Sequence, residues 1–222
     1  MDTDVITSGQ LTAKVKKFFK TVSKRYPGYT LSFGGEREEQ MKSVSSLLRA
    51  TVMAILIIYL ILGTLFKSFL QPLVVMSAIP FSLIGVIVGH KIMGEPIGIL
   101  SLIGLAALTG IVVNDSLVMV DFINQARKRG APRWLSVLRS SFVRFRPVVL
   151  TSLTTIFGLS TLAFKTTGQA AFLAPMAISI VFGLVFSTIL TLIIIPCLYA
   201  ILDDFMLRLF GKEAVKFHER EI

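Results

Sequence analysis

One cysteine, two histidines and thirteen acidic residues are few for a chain of 222. With Cys197 alone there is no disulfide framework and no thiolate metal cluster. His90 and His218 stand isolated, so no metal or other cofactor is expected. Walker A, HExxH and Gly-x-Ser-x-Gly patterns are missing as well. With them go the grounds for an ATPase, an intramembrane protease or any other enzyme. Charge is scarce too: 16% of residues are charged against 54% apolar, and mean hydropathy is +0.77. A soluble domain with its polar skin intact rarely has this balance.

What the chain has instead is apolar residues in blocks of about twenty, the length a helix needs to cross a bilayer. The expected fold is an all-α polytopic membrane bundle of about five transmembrane helices. Spans are predicted at about 47–66, 70–89, 97–123, 147–164 and 172–202, followed by a tail over 203–222. Pro80 should kink the second span, and Pro147 suits the first helical position of the fourth. The longest polar link, 124–146, carries seven Lys and Arg; Trp134 and Leu138 within it suggest an amphipathic helix at the interface.

Ahead of the spans, residues 1–46 predict a small α/β extramembrane segment. Val5-Ile6 could close a strand. Leu11, Val15, Phe18 and Val22 trace one face of an amphipathic helix, and Tyr29, Leu31 and Phe33 alternate as a strand does. Such a unit is too small to bury a core alone and reads as a piece of a larger domain. It is polar, so no signal peptide is expected.

Formal net charge is +10. The cations sit at the ends of apolar blocks, where anionic lipid and topology account for them, and no basic stripe interleaves with aromatics. Nucleic acid is therefore not an expected partner; the lipid bilayer is. Across the four links between spans the Lys and Arg divide eight to two, which places 124–146 and the tail in the cytoplasm and residues 1–46 outside.

The residues that bear chemistry lie in Gly110-Ile-Val-Val-Asn114-Asp115-Ser116, inside the third span. A carboxylate within a span costs roughly 2.5–3.5 kcal/mol on insertion scales, so a functional gain should offset it. Low dielectric favours the neutral carboxyl, as a reversible proton carrier requires. Asp115 is the candidate carrier; the structural alternative is a hydroxyl partner on another helix. Asp121, near the end of the span, should pair with an Arg. In the fourth span, Arg144 and Thr151 are candidates to face the carboxyl and relay its hydrogen bonds, whereas Ser and Thr hydroxyls bonded to their own helix carbonyls are the plainer reading. Gly85-xxx-Gly89 and Ala106-xxx-Gly110 read as close-packing sites for neighbouring helices.

The run from Gly104 to Phe122, the Arg-rich link, and Arg144-Phe-Arg-Pro-Val-Val-Leu-Thr-Ser-Leu-Thr-Thr resemble the resistance-nodulation-division (RND) permeases, in particular the C-terminal membrane half of the hydrophobe/amphiphile efflux branch. Tyr26-Pro-Gly-Tyr-Thr-Leu-Ser-Phe-Gly-Gly-Glu is similar to the last porter-domain strand and linker helix that enter that half. The resemblance implies an inner-membrane proton antiporter that exports amphiphilic small molecules. As partners it implies the N-terminal half of the permease, two further copies in a homotrimer, a periplasmic adaptor and an outer-membrane channel. It also implies a proton relay at Asn114, Asp115, Thr151 and Arg144, with the family's fourth-helix acidic pair lying outside these residues. Two positions depart from well-studied members: Asn114 stands in place of a Lys, and Asp115 in place of an Asn. The alternatives are a protein-translocation-assisting relative of the same superfamily and a non-transporting membrane scaffold.

Overall fold

The computed structural model describes residues 8–23, 36–164 and 168–221. The chain divides into two compact units, residues 1–45 and 46–222. In the first, α1 (Ser8–Val22) realises the expected amphipathic helix, although Leu11, Val15 and Phe18 on its apolar face are all exposed. The described residues contain helix and no strand, so an α/β segment is not supported. The strands expected at 5–6 and 29–33 lie outside the described residues.

The remaining helices are α2 (Glu36–Phe66), α3 (Gln71–Met76), α4 (Ala78–Met93), α5 (Ile99–Lys128), α6 (Arg133–Ala163) and α7 (Ala174–Glu221), with a 3₁₀ turn at Gln169–Leu173 before α7. Among the described residues, five segments are long and apolar enough to cross a membrane: Met41–Phe66, Gln71–Met93, Ile99–Lys128, Arg133–Ala163 and Ala171–Arg208.

The second span is interrupted where α3 gives way to α4 at Ser77, and Pro80 explains the place. A proline has no N–H to give to the carbonyl four residues back, here that of Met76, and its ring crowds that carbonyl. Pro147 behaves otherwise than expected. It lies inside α6, which runs unbroken from Arg133, so the 124–146 link is two helix ends joined by a turn at 129–132. Trp134 and Leu138, both exposed, lie on the first turns of that same helix. At the other end of the bundle, α4 stops at Gly94, whose φ of 70° lets its N–H reach the His90 carbonyl.

Helices α5 and α7 run side by side in the same direction. The Ser179 hydroxyl donates to the Ser101 carbonyl near their starts (3.0 Å), and the Tyr199 hydroxyl donates to Asn124 Oδ1 further along (2.7 Å). Helices α4 and α6 run antiparallel to this pair. Gly85 and Gly89 of α4 form a notch for Phe182: a Cβ at Gly85 would stand 2.6 Å from the Phe182 carbonyl oxygen. Small residues here let two backbones approach closely, as anticipated. Gly104 of α5 sits equally tight against Met176 and Ser179. Gly110, by contrast, faces open space, so no helix among the described residues uses the room it leaves.

Leu108, Val112, Val120, Ile123, Leu184 and Ile195 are at most 1% exposed and form the dry centre between α5 and α7. His90 joins α4 to α5: the Val86 carbonyl can only accept, so Nδ1 donates to it, leaving Nε2 to accept from the Ser101 hydroxyl at 2.8 Å. Helix α2 buries little beyond Leu62 and Phe66, and Val52, Leu56, Leu60 and Ile61 project outward. Water would not tolerate so long an apolar face; lipid or neighbouring membrane helices would.

Candidate functional site

Asp115 stands near the middle of α5, half-buried, among Ile111, Val112, Ser116 and Met119 of its own helix. No side chain among the described residues hydrogen-bonds to it, so the structural hydroxyl partner considered for it is not found. Asn114 is exposed on the neighbouring face.

Across from α5, Arg144 of α6 lays its guanidinium over the Phe122 ring, 5.1 Å from the centroid. Its Nε is buried and has no hydrogen-bond partner among the described residues. Phe122 is seven residues beyond Asp115 on α5, and Thr151 is seven beyond Arg144 on the antiparallel α6. Seven residues are two turns, roughly 10 Å, and return to the same helix face. The Arg144–Phe122 contact thus sets Asp115 and Thr151 at a similar depth. No hydrogen bond joins them: the Thr151 hydroxyl donates to the Val148 carbonyl (2.9 Å), and Thr154 and Thr155 donate to the Thr151 carbonyl (2.8 and 2.9 Å). These three hydroxyls thus bond carbonyls of their own helix, whereas Ser152 Oγ pairs with Thr188 Oγ1 of α7 at 2.7 Å. Asp121 is also partnered otherwise than expected: Gln125 Nε2, one turn on, donates to it at 2.6 Å, and no Arg does among the described residues.

Two buried polar groups went unnoticed in the sequence. In the first, Asn124 Nδ2 donates to Gln71 Oε1 (2.8 Å), while Asn124 Oδ1 accepts from Gln71 Nε2 (3.4 Å) and from the Tyr199 hydroxyl (2.7 Å). All three residues are buried, tying α3, α5 and α7 together. In the second, Asp203 Oδ2 receives both Arg127 Nη1 (2.6 Å) and Arg133 Nε (2.9 Å). Arg133 also reaches Asp204 Oδ1 and the Ala200 carbonyl, each at 2.6 Å. The signal available for the second cluster was charge at matched ends of three helices; Asp203 stands one residue beyond the predicted end of the fifth span.

The sequence pattern of the AcrB/AcrD/AcrF family matches residues 3–203. The chain belongs to that family. Among AcrB/AcrD/AcrF relatives, multidrug resistance protein MdtC of Erwinia amylovora is 34% identical over 173 residues, 78% of this chain and 17% of that protein. MdtC of Salmonella paratyphi B is 32% identical over 185 residues, 82% and 18% of the two chains. A solved heavy metal efflux pump superposes with a TM-score of 0.75 at 26% identity, covering 88% of this chain and 20% of the other. The chain therefore spans about a fifth or less of each relative's length. The resemblance to RND efflux permeases is borne out.

Proposed function

We propose that this chain is the C-terminal membrane portion of a proton-motive-force-driven efflux transporter of the bacterial inner membrane. Protons enter along α5 and α6, with Asp115 as the carrier and Asn114, Thr151 and Arg144 around it. The observation that carries this reading is Asp115 itself: a carboxyl in mid-span with no hydrogen-bond partner among the described residues. Insertion of an acid at that depth is costly, and no hydrogen bond among the described residues offsets the cost. A partner from the rest of the transporter, or a proton, is what the position calls for. Desolvation favours the protonated form and a passing water or cation favours the ionised one, so the group can cycle.

The shared depth of Asp115 and Thr151 supports a relay in which the hydroxyl swings from its own carbonyl toward the carboxyl. Arg144, its Nε buried and unpaired, would compensate the ionised state from two turns away. As in other RND permeases, the working unit would be a trimer that includes the N-terminal half of the permease, joined by a periplasmic adaptor and an outer-membrane channel. The higher identity to MdtC than to the heavy metal pump supports amphiphilic organic substrates.

The test is Asp115→Asn in the assembled transporter, read as energised export of a fluorescent amphiphile. Asn is nearly isosteric and cannot carry a proton. Export should fall about a hundredfold or more, the loss of one proton-transfer group's contribution, with insertion and assembly unchanged. Thr151→Val should lose less, because water can replace one hydroxyl. Export at the normal rate in Asp115→Asn would show that the carboxyl is structural.

A further inference from the structure

The elbow between α5 and α6 encloses a cleft of about 210 Å³ lined by Phe122, Gln125, Arg129, Leu135, Ser136 and Arg139, among others. We infer that this cleft binds the headgroup of an anionic glycerophospholipid, Arg129 and Arg139 contacting its phosphate and the outer face of α6 receiving its acyl chains. The inference uses only the membrane-spanning character of the chain and is independent of proton coupling.

Charge is the first argument. Between residues 122 and 202 there is no acidic residue at all. The nearest acid before the cleft, Asp121, is taken by Gln125, and the nearest after it, Asp203 and Asp204, are taken by Arg127 and Arg133. Arg129 and Arg139 are both exposed and pair with no carboxylate among the described residues. Two guanidiniums across a small cleft suit a phosphodiester, which each can grip with two N–H donors.

Shape and depth supply the second argument. From the cleft, Trp134, Leu138, Phe142 and Phe145 follow one another along α6 at spacings of four, four and three; they are 72%, 46%, 75% and 56% exposed. An indole at headgroup level with phenyl rings deeper is how interfacial residues sort in a bilayer. A cationic cleft opening onto an apolar stripe matches a phospholipid along its length. Free phosphate would use only the cleft, and a soluble acidic protein would not cover the stripe.

Trp134 is the only tryptophan in the chain, so it reports on its own surroundings. The 222-residue chain is placed in phosphatidylcholine nanodiscs carrying a minor fraction of chain-brominated phosphatidylglycerol or, separately, brominated phosphatidylcholine. Brominated phosphatidylglycerol should quench Trp134 with about fivefold higher apparent affinity, the attraction of roughly one cation to an anionic lipid surface. Arg129→Gln with Arg139→Gln should bring the two lipids level. Arg129→Lys with Arg139→Lys should keep a reduced preference, since the charge remains while the paired donors are lost, and Arg146→Gln, a cation outside the cleft lining, should leave it whole. Added inorganic phosphate should leave it unchanged. Equal quenching in the parent chain overturns the proposal, as does a preference that survives the Gln pair or vanishes in the Lys pair. Displacement by inorganic phosphate would mean a free-anion site and overturns it equally.

Discussion

Replacing Asp203 by Asn should destabilise the bundle far more than the same change at Asp204, its neighbour in sequence. The Asp203 and Arg127 side chains are 11% and 10% exposed, and one carboxylate oxygen serves both Arg127 (2.6 Å) and Arg133 (2.9 Å). Removing one partner of a buried pair costs about 3–5 kcal/mol, because the remaining charges stay out of water and lose a carboxylate that faces them. Two features push the figure toward the lower end. Arg133 is 29% exposed and keeps Asp204 and the Ala200 carbonyl, and Asn retains one acceptor oxygen. A loss of about 3 kcal/mol should lower the melting temperature of a chain this size by about 6–12 °C. The assay is helical circular dichroism against temperature on the purified chain in nanodiscs, with size exclusion to confirm a single species before heating. Asp204, whose side chain is 64% exposed, should shift the midpoint little on becoming Asn, since exposed ion pairs contribute weakly. In the double variant Arg127→Leu with Asp203→Leu, much of the loss should return, because no buried charge is left without its counterion. Equal shifts at the two aspartates, or a shift below about 2 °C for Asp203→Asn, would refute a clasp between the α5–α6 elbow and α7.

Other consequences can be checked more briefly. Gly85→Val should reduce the yield of folded chain and lower its melting temperature, because the added atoms would meet Phe182 and Phe186; overpacking of this kind costs about 1–3 kcal/mol or more. Gly110→Ala should not lower the chain's melting temperature and should raise it slightly, since its Cβ would meet nothing within 4 Å and Ala is the better helix former. Asn124→Leu should cost about 1–3 kcal/mol by leaving the buried Gln71 amide without the partner it now has, read as a lower midpoint in the same melting experiment. For topology, single cysteines at Gln125 and Thr30 in a background lacking Cys197 should separate on intact cells: an impermeant thiol reagent should label position 30 and spare position 125. The reverse pattern would invert the orientation.

Much of the architecture was legible because a bilayer admits few solutions. A run of about twenty apolar residues has to satisfy its own backbone hydrogen bonds, and a helix is the economical way. Pro80 also announced itself, since a proline in mid-span must disturb the helix within one turn on its N-terminal side. Pro147 misled for the same reason read too strictly. The stretch 133–146 is polar enough to pass for a separate interfacial helix, yet Ser136, Val137 and Ser140 are buried and the Ser141 hydroxyl donates to the Leu192 carbonyl of α7 (3.4 Å). That tertiary support holds α6 continuous through its proline. Asp115 stood out in the sequence because an acid in an apolar span needs a reason. Gln71 and Asn124 did not, because an amide near a span end is unremarkable until its partner is known.

The chain's own order of residues was sufficient for its class: five apolar segments, one mid-span acid, a basic elbow and small residues at Gly85 and Gly89. These follow from local chemistry, namely transfer to lipid, backbone satisfaction and side-chain size, and they need no knowledge of what lies across the bundle. Partnership was decided only by the fold. Asp203 meets Arg127 across 76 residues of sequence, and Asn124 meets Gln71 across 53 and Tyr199 across 75. No periodicity encodes such pairs, because they depend on which helices are neighbours and on their directions. The same holds for Thr151, whose hydroxyl turns to its own helix, and for Arg129 and Arg139, which meet no carboxylate among the described residues because packing delivered the nearby ones elsewhere.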